Sequence, residues 1–291
     1  MNDWSAIAAA ISQATGRAFV FADHTTTSGG YINQTFRISG KDGRQFFLKL
    51  NGVEQYPILI SEVMGLEAIA ATNTLRVPRV FAHGKNDVHS FLVLEYLELQ
   101  AHGNASLLGE QLALMHRCTS DRFGFKQDNH IGATTQLNAW TSDWITFFRE
   151  YRLGFQLLLA RQKNPGGKLL ALGEKLMESL HGFFADYTPT PSLLHGDLWS
   201  GNHAYLADGT PVIFDPAAYY GDRECDLAMT ELFGGFSGKF YAAYRANFPL
   251  DAGYAKRRDL YNLYHILNHA NMFGGGYVAQ SEQMMQKLLA A

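Results

Sequence analysis

Two short apolar runs in the second half of the chain each end at an acidic residue, and they constrain the fold more than any other feature. The first run leads through His195 to Asp197, and Asn202 follows five residues later. The second run, Val212-Ile213-Phe214, ends at Asp215, thirteen residues after Asn202. Short apolar runs bounded by turn residues are typical of buried strands. The pattern therefore predicts two adjacent strand–loop units. The loop of the first carries Asp197 and Asn202, and the loop of the second carries Asp215.

This order and spacing is typical of the catalytic loop and metal-binding aspartate of a kinase. We expect Asp197 to be the catalytic residue, because its carboxylate can orient or deprotonate an attacking hydroxyl. Asn202 and Asp215 are expected to bind Mg²⁺, since this hard cation prefers oxygen ligands. ATP and Mg²⁺ are the cofactors that this set implies. Each fragment alone is common in turns, and only their joint order favours phosphoryl transfer.

A lysine inside an apolar strand of the first half is a second candidate. Lys49 lies in Phe46-Phe47-Leu48-Lys49-Leu50. An unpaired buried ammonium is unfavourable, so we expect Lys49 to meet the ATP phosphates and a carboxylate of the following helix. Glu62 is preferred over Glu67 as that carboxylate. The alternative is an edge-strand lysine that points to solvent.

Two further segments are expected to contact ATP. Thr27-Ser28-Gly29-Gly30 precedes a strand, so the backbone N–H groups of Gly29 and Gly30 could cover the phosphates; a hairpin turn explains the glycines equally well. Glu95-Tyr96-Leu97 follows an apolar strand, and backbone groups of Glu95 and Leu97 could bind adenine. An ordinary linker is the alternative there.

Strand patterns fill the first hundred residues around one helix, expected over residues 57–72, and helical patterns dominate from about residue 106. We therefore predict an α+β, protein-kinase-like bilobal fold. Residues 1–97 would form a small antiparallel-sheet N-lobe for nucleotide binding, and residues 98–291 a mainly helical C-lobe with the catalytic loop and substrate site. Helices of that second lobe are expected over residues 107–116, 140–159, 167–185 and 257–272.

Composition narrows the function classes. The formal net charge of -3 argues against a nucleic-acid or membrane-surface binder, because those usually carry a basic excess. The two cysteines, Cys118 and Cys225, are too few for a disulfide framework or a cysteine-based zinc site. No basic segment precedes an apolar run at the N-terminus, and no run of eighteen apolar residues occurs. A cytoplasmic protein with reduced thiols, without a membrane or nucleic-acid partner and with a monomer favoured, is the expectation.

Several motifs go beyond the general kinase pattern. They are His195-Gly196-Asp197-Leu198-Trp199-Ser200-Gly201-Asn202, Phe214-Asp215-Pro216-Ala217, Gly221-Asp222-Arg223-Glu224, Asp226-Leu227-Ala228-Met229, Phe233-Gly234-Gly235-Phe236, Leu263-Tyr264-His265, Leu267-Asn268-His269, Phe273-Gly274 and Gly276-Tyr277. With these segments the chain resembles the fructosamine-3-kinase (ketosamine kinase) family over nearly its whole length. The tryptophan after the catalytic leucine and the late Leu-Asn-His separate this family from aminoglycoside and choline kinases.

The resemblance implies that ATP phosphorylates the 3-hydroxyl of a ketosamine, such as a fructosamine or ribulosamine, as a step in protein deglycation. It also implies that Trp199 and His269 contact the sugar amine. Trp199 could instead be a core plug, and His265 with His269 a core pair. The family often carries cysteine where Tyr31 stands, so a disulfide switch in that loop is not expected here.

We expect two acidic segments to have structural roles. Asp226 is expected to brace the catalytic loop by hydrogen bonds. Asp222, Arg223 and Glu224 are expected to form an ion-pair network at the rim of the cleft.

Three rival functions stay open at this point. A metal-dependent hydrolase could use the histidines and Asp197, although no known metal-ligand spacing is present. A non-catalytic nucleotide-binding scaffold is a second rival, but it would not need the complete set of predicted catalytic, phosphate-binding and metal-binding residues. That set is Lys49, Glu62, Asp197, Asn202 and Asp215. A related aminoglycoside or choline phosphotransferase is disfavoured because residues 261–277 contain no Asp or Glu for a polycationic substrate.

Overall fold

A computed structural model of the chain describes residues 4–27, 33–164 and 167–290. The helices are α1 (Trp4–Thr15), α2 (Tyr56–Ala71), α3 (Ala105–His116), α4 (Trp144–Phe147), α5 (Phe155–Lys163), α6 (Lys168–Ser179), α7 (Glu224–Leu232), α8 (Gly238–Asn247), α9 (Tyr254–Phe273) and α10 (Gly276–Leu289). The strands are β1 (Phe21–Thr26), β2 (Gln34–Gly40), β3 (Gln45–Gly52), β4 (Val80–Lys85), β5 (His89–Glu95), β6 (Asn129–Ile131), β7 (Thr134–Gln136), β8 (Ser192–Leu194), β9 (His203–Tyr205), β10 (Pro211–Ile213) and β11 (Tyr219–Gly221).

The chain divides into two compact units. The first comprises Met1–Asn104 together with Ala204–Asp215, and the second comprises Ala105–His203 and Pro216–Ala291. The sequence predicts a boundary between residues 97 and 98, with nucleotide binding before it and the catalytic loop and substrate site after it. That assignment of functions stays a prediction. Within the described residues no helix is long and apolar enough to cross a membrane.

An antiparallel sheet with strand order β1-β2-β3-β5-β4 dominates the first unit. Phe46, Leu48 and Leu50 of β3 share a hydrophobic core with Ile7 and Ile11 of α1. Side chains alternate between the two faces of a strand, so the residue between Leu48 and Leu50 faces the other side. The expected small antiparallel sheet is confirmed, and its pleat decides where the lysine of β3 points.

The helix that carries the candidate acid begins close to the expected position. Pro57 lies in the first turn of α2, where its missing N–H and fixed φ are tolerated. The helix ends at Ala71, and Asn73 takes a left-handed conformation with φ 53°. Leu59, Val63 and Leu66 are buried, which anchors α2 beside the sheet.

Helices form most of the second unit. The long helix α9 packs against both α7 and α10, and α3 packs against α8. Ser237 caps α8 by accepting a hydrogen bond from the backbone N–H of Phe240, and Asp143 caps α4 through Thr146. The α+β class of the fold is therefore as predicted.

Several element predictions were wrong in extent. The helix expected over residues 140–159 is divided, because a π-helix spans Phe148–Gly154 between α4 and α5. Within it the guanidinium of Arg152 is fully buried and lies 4.0 Å from the ring centre of Tyr219. The helix expected over 167–185 ends at Ser179 and continues as a 3₁₀ turn, Leu180–Phe184. Helices α7, α8 and α10 were not anticipated.

Candidate active site

Lys49 is the centre of a charged triad in the first unit. Its Nζ donates to Oε2 of Glu62 at 2.7 Å and to Oδ1 of Asp215 at 2.6 Å. Lys49 is 5% exposed and lies on β3 in the interior of the sheet, so the solvent-exposed edge-strand alternative is wrong. The preference for Glu62 as the ion-pair partner is confirmed, whereas Glu67 is exposed. That these residues contact ATP stays a prediction.

The triad holds one ammonium for two carboxylates. Burial lowers the pKa of Lys49, but Asp215 and Glu62 outweigh it, so that the pKa is raised above its usual value and the side chain stays charged. Burial raises the pKa of Glu62 to about 7; Lys49 opposes the rise and Asp215 adds to it. The Oε1 atom of Glu62 is buried without a hydrogen-bond partner among the described residues. This excess of carboxylate oxygen fits a site that receives a further cation.

Asp215 is held in a strained conformation two residues after the end of β10. Its φ is 57°, in the left-handed region that residues other than glycine seldom adopt. Strand β10 is fixed to the rest of the unit because the N–H of Ile213 donates to the carbonyl of Arg76 at 3.0 Å. Such strain persists only where the surroundings impose it, and it is common in functional sites.

In the second unit, β8 delivers the predicted catalytic loop. The carboxylate of Asp226 accepts hydrogen bonds from the backbone N–H groups of His195 at 2.7 Å and of Gly196 at 2.8 Å. The expectation that Asp226 braces this loop is therefore confirmed. Gly196 has φ 83°, and a Cβ there would lie 2.1 Å from the carbonyl oxygen of Ala217. Only glycine fits at this position, one residue before Asp197.

Asp197 and Asn202 are brought together by the same loop. The Nδ2 of Asn202 donates to the backbone carbonyl of Asp197 at 2.8 Å and to its Oδ2 at 3.2 Å. Since the amide nitrogen faces Asp197, the carboxamide oxygen lies on the opposite side of the group. Carboxylate and carboxamide oxygens are the donors that Mg²⁺ prefers, so Asn202 and Asp215 are suitable ligands in chemical type.

Trp199 and His269 both belong to one aromatic cluster of the second unit. Their rings lie 6.2 Å and 5.4 Å from the ring of Phe233. Trp199 is 37% exposed, so the core-plug alternative is wrong. His265, in contrast, is buried, and burial lowers its pKa to about 3. The sequence missed Phe233 as the link, although the Phe-Gly-Gly that begins with it was part of the family motif.

Of the remaining residues that are predicted to contact ATP, the structure describes Glu95 and Leu97. Glu95 ends β5, and both of its carboxylate oxygens accept from Nη2 of Arg76 at 2.6 Å, so its side chain is paired with the segment between α2 and β4. Leu97 is half-buried in the irregular segment that follows. Gly29, Gly30 and Tyr31 lie outside the described residues.

The acidic residues after β11 have a different role from the one expected. Asp222 and Glu224 are completely buried, so a network at a cleft rim is wrong. Asp222 accepts hydrogen bonds from two tyrosines of the core, and Glu224 pairs with Arg257 of α9 at 2.7 Å. Arg223 donates to the hydroxyl of Tyr244 and to backbone carbonyls. These charges join α7 to α8 and α9.

The rival metal-dependent hydrolase has little structural support. In the parts of the chain that the structure describes, no three His, Cys, Asp or Glu side chains are grouped to hold a metal ion. His195 is buried beside the backbone that Asp226 clamps, and His265 lies in the core of α9. The buried positions of these two histidines do not add up to a metal site within the described residues.

Comparison with known proteins agrees with this geometry. A probable ketoamine kinase of Synechocystis sp. is 50% identical over 290 residues, which cover 98% of this chain and 97% of that protein. A protein-ribulosamine 3-kinase, chloroplastic, of Arabidopsis thaliana is 41% identical over 278 residues, 94% of this chain and 85% of that protein.

Solved structures show the same fold. A candidate fructosamine-3-kinase of Haemophilus somnus superposes with a TM-score of 0.89 at 29% identity and covers 98% of this chain and 97% of that chain. A choline kinase of Streptococcus pneumoniae superposes with a TM-score of 0.67 at 15% identity, covering 99% and 98%, which shows the kinase-like fold alone.

The sequence model of the family described as fructosamine kinase matches residues 3–291. The predictions of a kinase-like fold and of an ATP-dependent phosphotransferase are confirmed. The family match, the curated relatives and the fold agree, and the chain belongs to the fructosamine kinase family.

Proposed function

We propose that this protein transfers the γ-phosphoryl group of ATP to the 3-hydroxyl of a ketosamine. The observation that carries the proposal is the triad in which Lys49 meets both Glu62 and Asp215, because phosphoryl transfer depends on fixed charges around a triphosphate. The choice of a ketosamine is supported by the names of the ketoamine and ribulosamine kinases to which the chain is similar.

On the nucleotide side, each residue has a separate task. Lys49 would exchange its bond to Asp215 for the phosphates, while Glu62 keeps the ammonium oriented. Gly29, Gly30, Glu95 and Leu97 would bind phosphates and adenine through backbone groups. Asn202 and Asp215 would hold Mg²⁺, which when bound neutralises the negative charge of the β- and γ-phosphates.

On the acceptor side, Asp197 would accept the proton of the sugar hydroxyl. The hydroxyl oxygen forms a bond to the γ-phosphorus, the bond from that phosphorus to the bridging oxygen breaks, and ADP leaves with its electron pair. Because Asn202 and the clamped backbone of His195 and Gly196 hold the loop, the carboxylate needs little reorganisation.

The aromatic cluster of Trp199, Phe233 and His269 would receive the sugar amine. An indole face suits the C–H face of a sugar and attracts a protonated amine. Burial lowers the pKa of His269, so a neutral imidazole adds no positive charge against that amine. We further propose that the enzyme starts the removal of sugars from glycated amines, as a monomer in the cytoplasm.

An acceptor screen tests the proposal. ADP formation is measured with fructosamines, ribulosamines, the parent sugars, choline and aminoglycosides, and the phosphorylated position is located by NMR. We expect turnover with ketosamines and a phosphate on C3, with Asp197→Ala as the inactive control. Phosphorylation of choline or an aminoglycoside in preference to every ketosamine would replace the proposed substrate class.

A further inference from the structure

His116 is a fully buried histidine that the chemistry above does not use. It is the last residue of α3, and its side chain is 0% exposed. Its Nε2 lies 3.1 Å from Oδ2 of Asp226, and its Nδ1 lies 2.8 Å from the hydroxyl of Tyr244 in α8. That hydroxyl is also 3.1 Å from Nη1 of Arg223. Four side chains thus form one hydrogen-bond chain that ends at the carboxylate bracing the catalytic loop.

The chemistry of the end groups fixes the direction of this chain. A guanidinium can only donate, so the oxygen of Tyr244 accepts from Arg223 and its own proton is left for Nδ1 of His116. A neutral imidazole that accepts at Nδ1 carries its proton at Nε2, which faces Asp226. A doubly protonated imidazole would leave the tyrosine hydroxyl with two donors and no acceptor for its own proton. One arrangement, with neutral His116, therefore satisfies every group.

The donated bond matters because Asp226 is a buried carboxylate. Burial raises the pKa of Asp226, but the hydrogen bond from His116 is the largest of the influences that hold it below its ordinary value. An ionised carboxylate can accept from two backbone N–H groups at once, whereas a protonated one loses part of that capacity. The imidazole thus acts on the loop through Asp226.

We propose that His116 is a positioning residue: with its tautomer fixed by Tyr244, it orients Asp226 so that the backbone of His195 and Gly196 holds Asp197 in place. The proposal rests on the proposed function for its effect on turnover, because Asp197 is the proposed base. Its structural part, the clamping of two backbone amides, is independent of which acceptor is phosphorylated.

The test compares four single variants of the full-length protein and the double variant His116→Leu/Tyr244→Phe. His116→Leu removes both bonds, His116→Gln keeps a side-chain N–H that can reach Asp226, and Tyr244→Phe removes only the hydroxyl that fixes the tautomer. Tyr254→Phe is the matched control, since its hydroxyl donates to Glu231 and takes no part in the chain. For each, kcat and KM are measured alongside hydrogen exchange of the His195 and Gly196 amides.

We expect His116→Leu to lower kcat at least tenfold with less than a threefold change in KM for ATP, and His116→Gln to restore most of the loss. Tyr244→Phe should lower kcat by a smaller factor and cause no further loss in the His116→Leu background, because members of one chain are not additive. Exchange of the two amides should accelerate in His116→Leu and Tyr244→Phe and stay unchanged in Tyr254→Phe.

Unchanged amide exchange together with wild-type kcat in His116→Leu or in Tyr244→Phe overturns the proposal. So does a Tyr244→Phe effect that multiplies fully with that of His116→Leu. If His116→Leu does not fold, the exchange and kcat of Tyr244→Phe decide by the same criterion. If the wild type turns over no ketosamine, the proposed function has failed while the exchange measurements still decide the role of His116.

Discussion

The Nζ of Lys49 lies 2.6 Å from Oδ1 of Asp215, although 166 residues separate them along the chain. Glu62 holds the same ammonium from the other side. An ion pair that is broken on one side leaves a buried charge without compensation, and such changes are strongly destabilising. Stability therefore depends on this lysine, and its proposed role in catalysis can be separated from that contribution experimentally.

Lys49→Met should abolish turnover and lower the free energy of unfolding by on the order of 3 kcal/mol, because Glu62 loses its partner in the interior. The double variant Lys49→Met/Glu62→Gln should recover much of that stability, since neither member of the buried Lys49–Glu62 pair is then charged, without recovering activity. Thermal unfolding and ADP formation measure the two effects. Equal activity of Lys49→Met and the wild type would remove the lysine from the mechanism.

Asp197→Asn should lower kcat by about a hundred- to ten-thousandfold, the usual contribution of a general base. The substitution keeps an oxygen for Asn202 and the shape of the loop. Binding of a non-hydrolysable ATP analogue, followed by calorimetry, should therefore change by less than about threefold. A comparable loss of nucleotide affinity would show that Asp197 acts on ATP and not on the hydroxyl.

Trp199→Ala should raise KM for the ketosamine about tenfold and leave KM for ATP within about twofold, because stacking on a base or ring contributes roughly 1–1.5 kcal/mol. Trp199→Phe is the matched control and should retain most of the affinity. The melting temperature should stay near that of the wild type, since the side chain is partly exposed. A larger effect on ATP than on the ketosamine would contradict the substrate role.

Acidification should destabilise the protein through His265. Its pKa is about 3 in the folded chain, against an ordinary 6.5, because burial disfavours the charged form. Between pH 6.5 and about 3 the unfolded chain binds a proton that the folded chain does not, so stability is present above pH 6.5 and is lost as the pH falls, by at most roughly 1.4 kcal/mol per unit. His265→Met should flatten the decline in thermal unfolding over this range; an unchanged slope would refute the assignment.

Gly196→Ala should destabilise the protein by more than about 1 kcal/mol and reduce kcat, because the new methyl group would collide with a backbone oxygen at a positive φ. Gly182→Ala is the control, since nothing lies within 4 Å of a Cβ there. Chemical unfolding and steady-state kinetics measure both. Equal unfolding free energies and equal kcat values for the two variants would mean that the loop accommodates the methyl group.

The sequence predicted those features that chemistry ties to a fixed order of residues. Lys49 stood out because a lone cation interrupts an apolar strand, and Asp226 because it follows the catalytic segment in a family motif. Burial was not predictable in the same way: Asp222 and Glu224 look like surface charges until Arg257, from a distant helix, is found to pair with one of them. Helix α7 lies within the stretch that was interpreted through its motifs, and α8 and α10 each begin at a glycine, a residue that disfavours helix formation.

The assignment of Ala204–Asp215 to the first unit has a consequence for the modularity of the protein. A gene fragment that stops at residue 104 encodes the sheet and Lys49 but leaves out Asp215, which forms an ion pair with that lysine. Neither unit is therefore a continuous piece of sequence that recombination could move as one cassette. Exchange of the first unit between relatives would have to transfer two separate segments together.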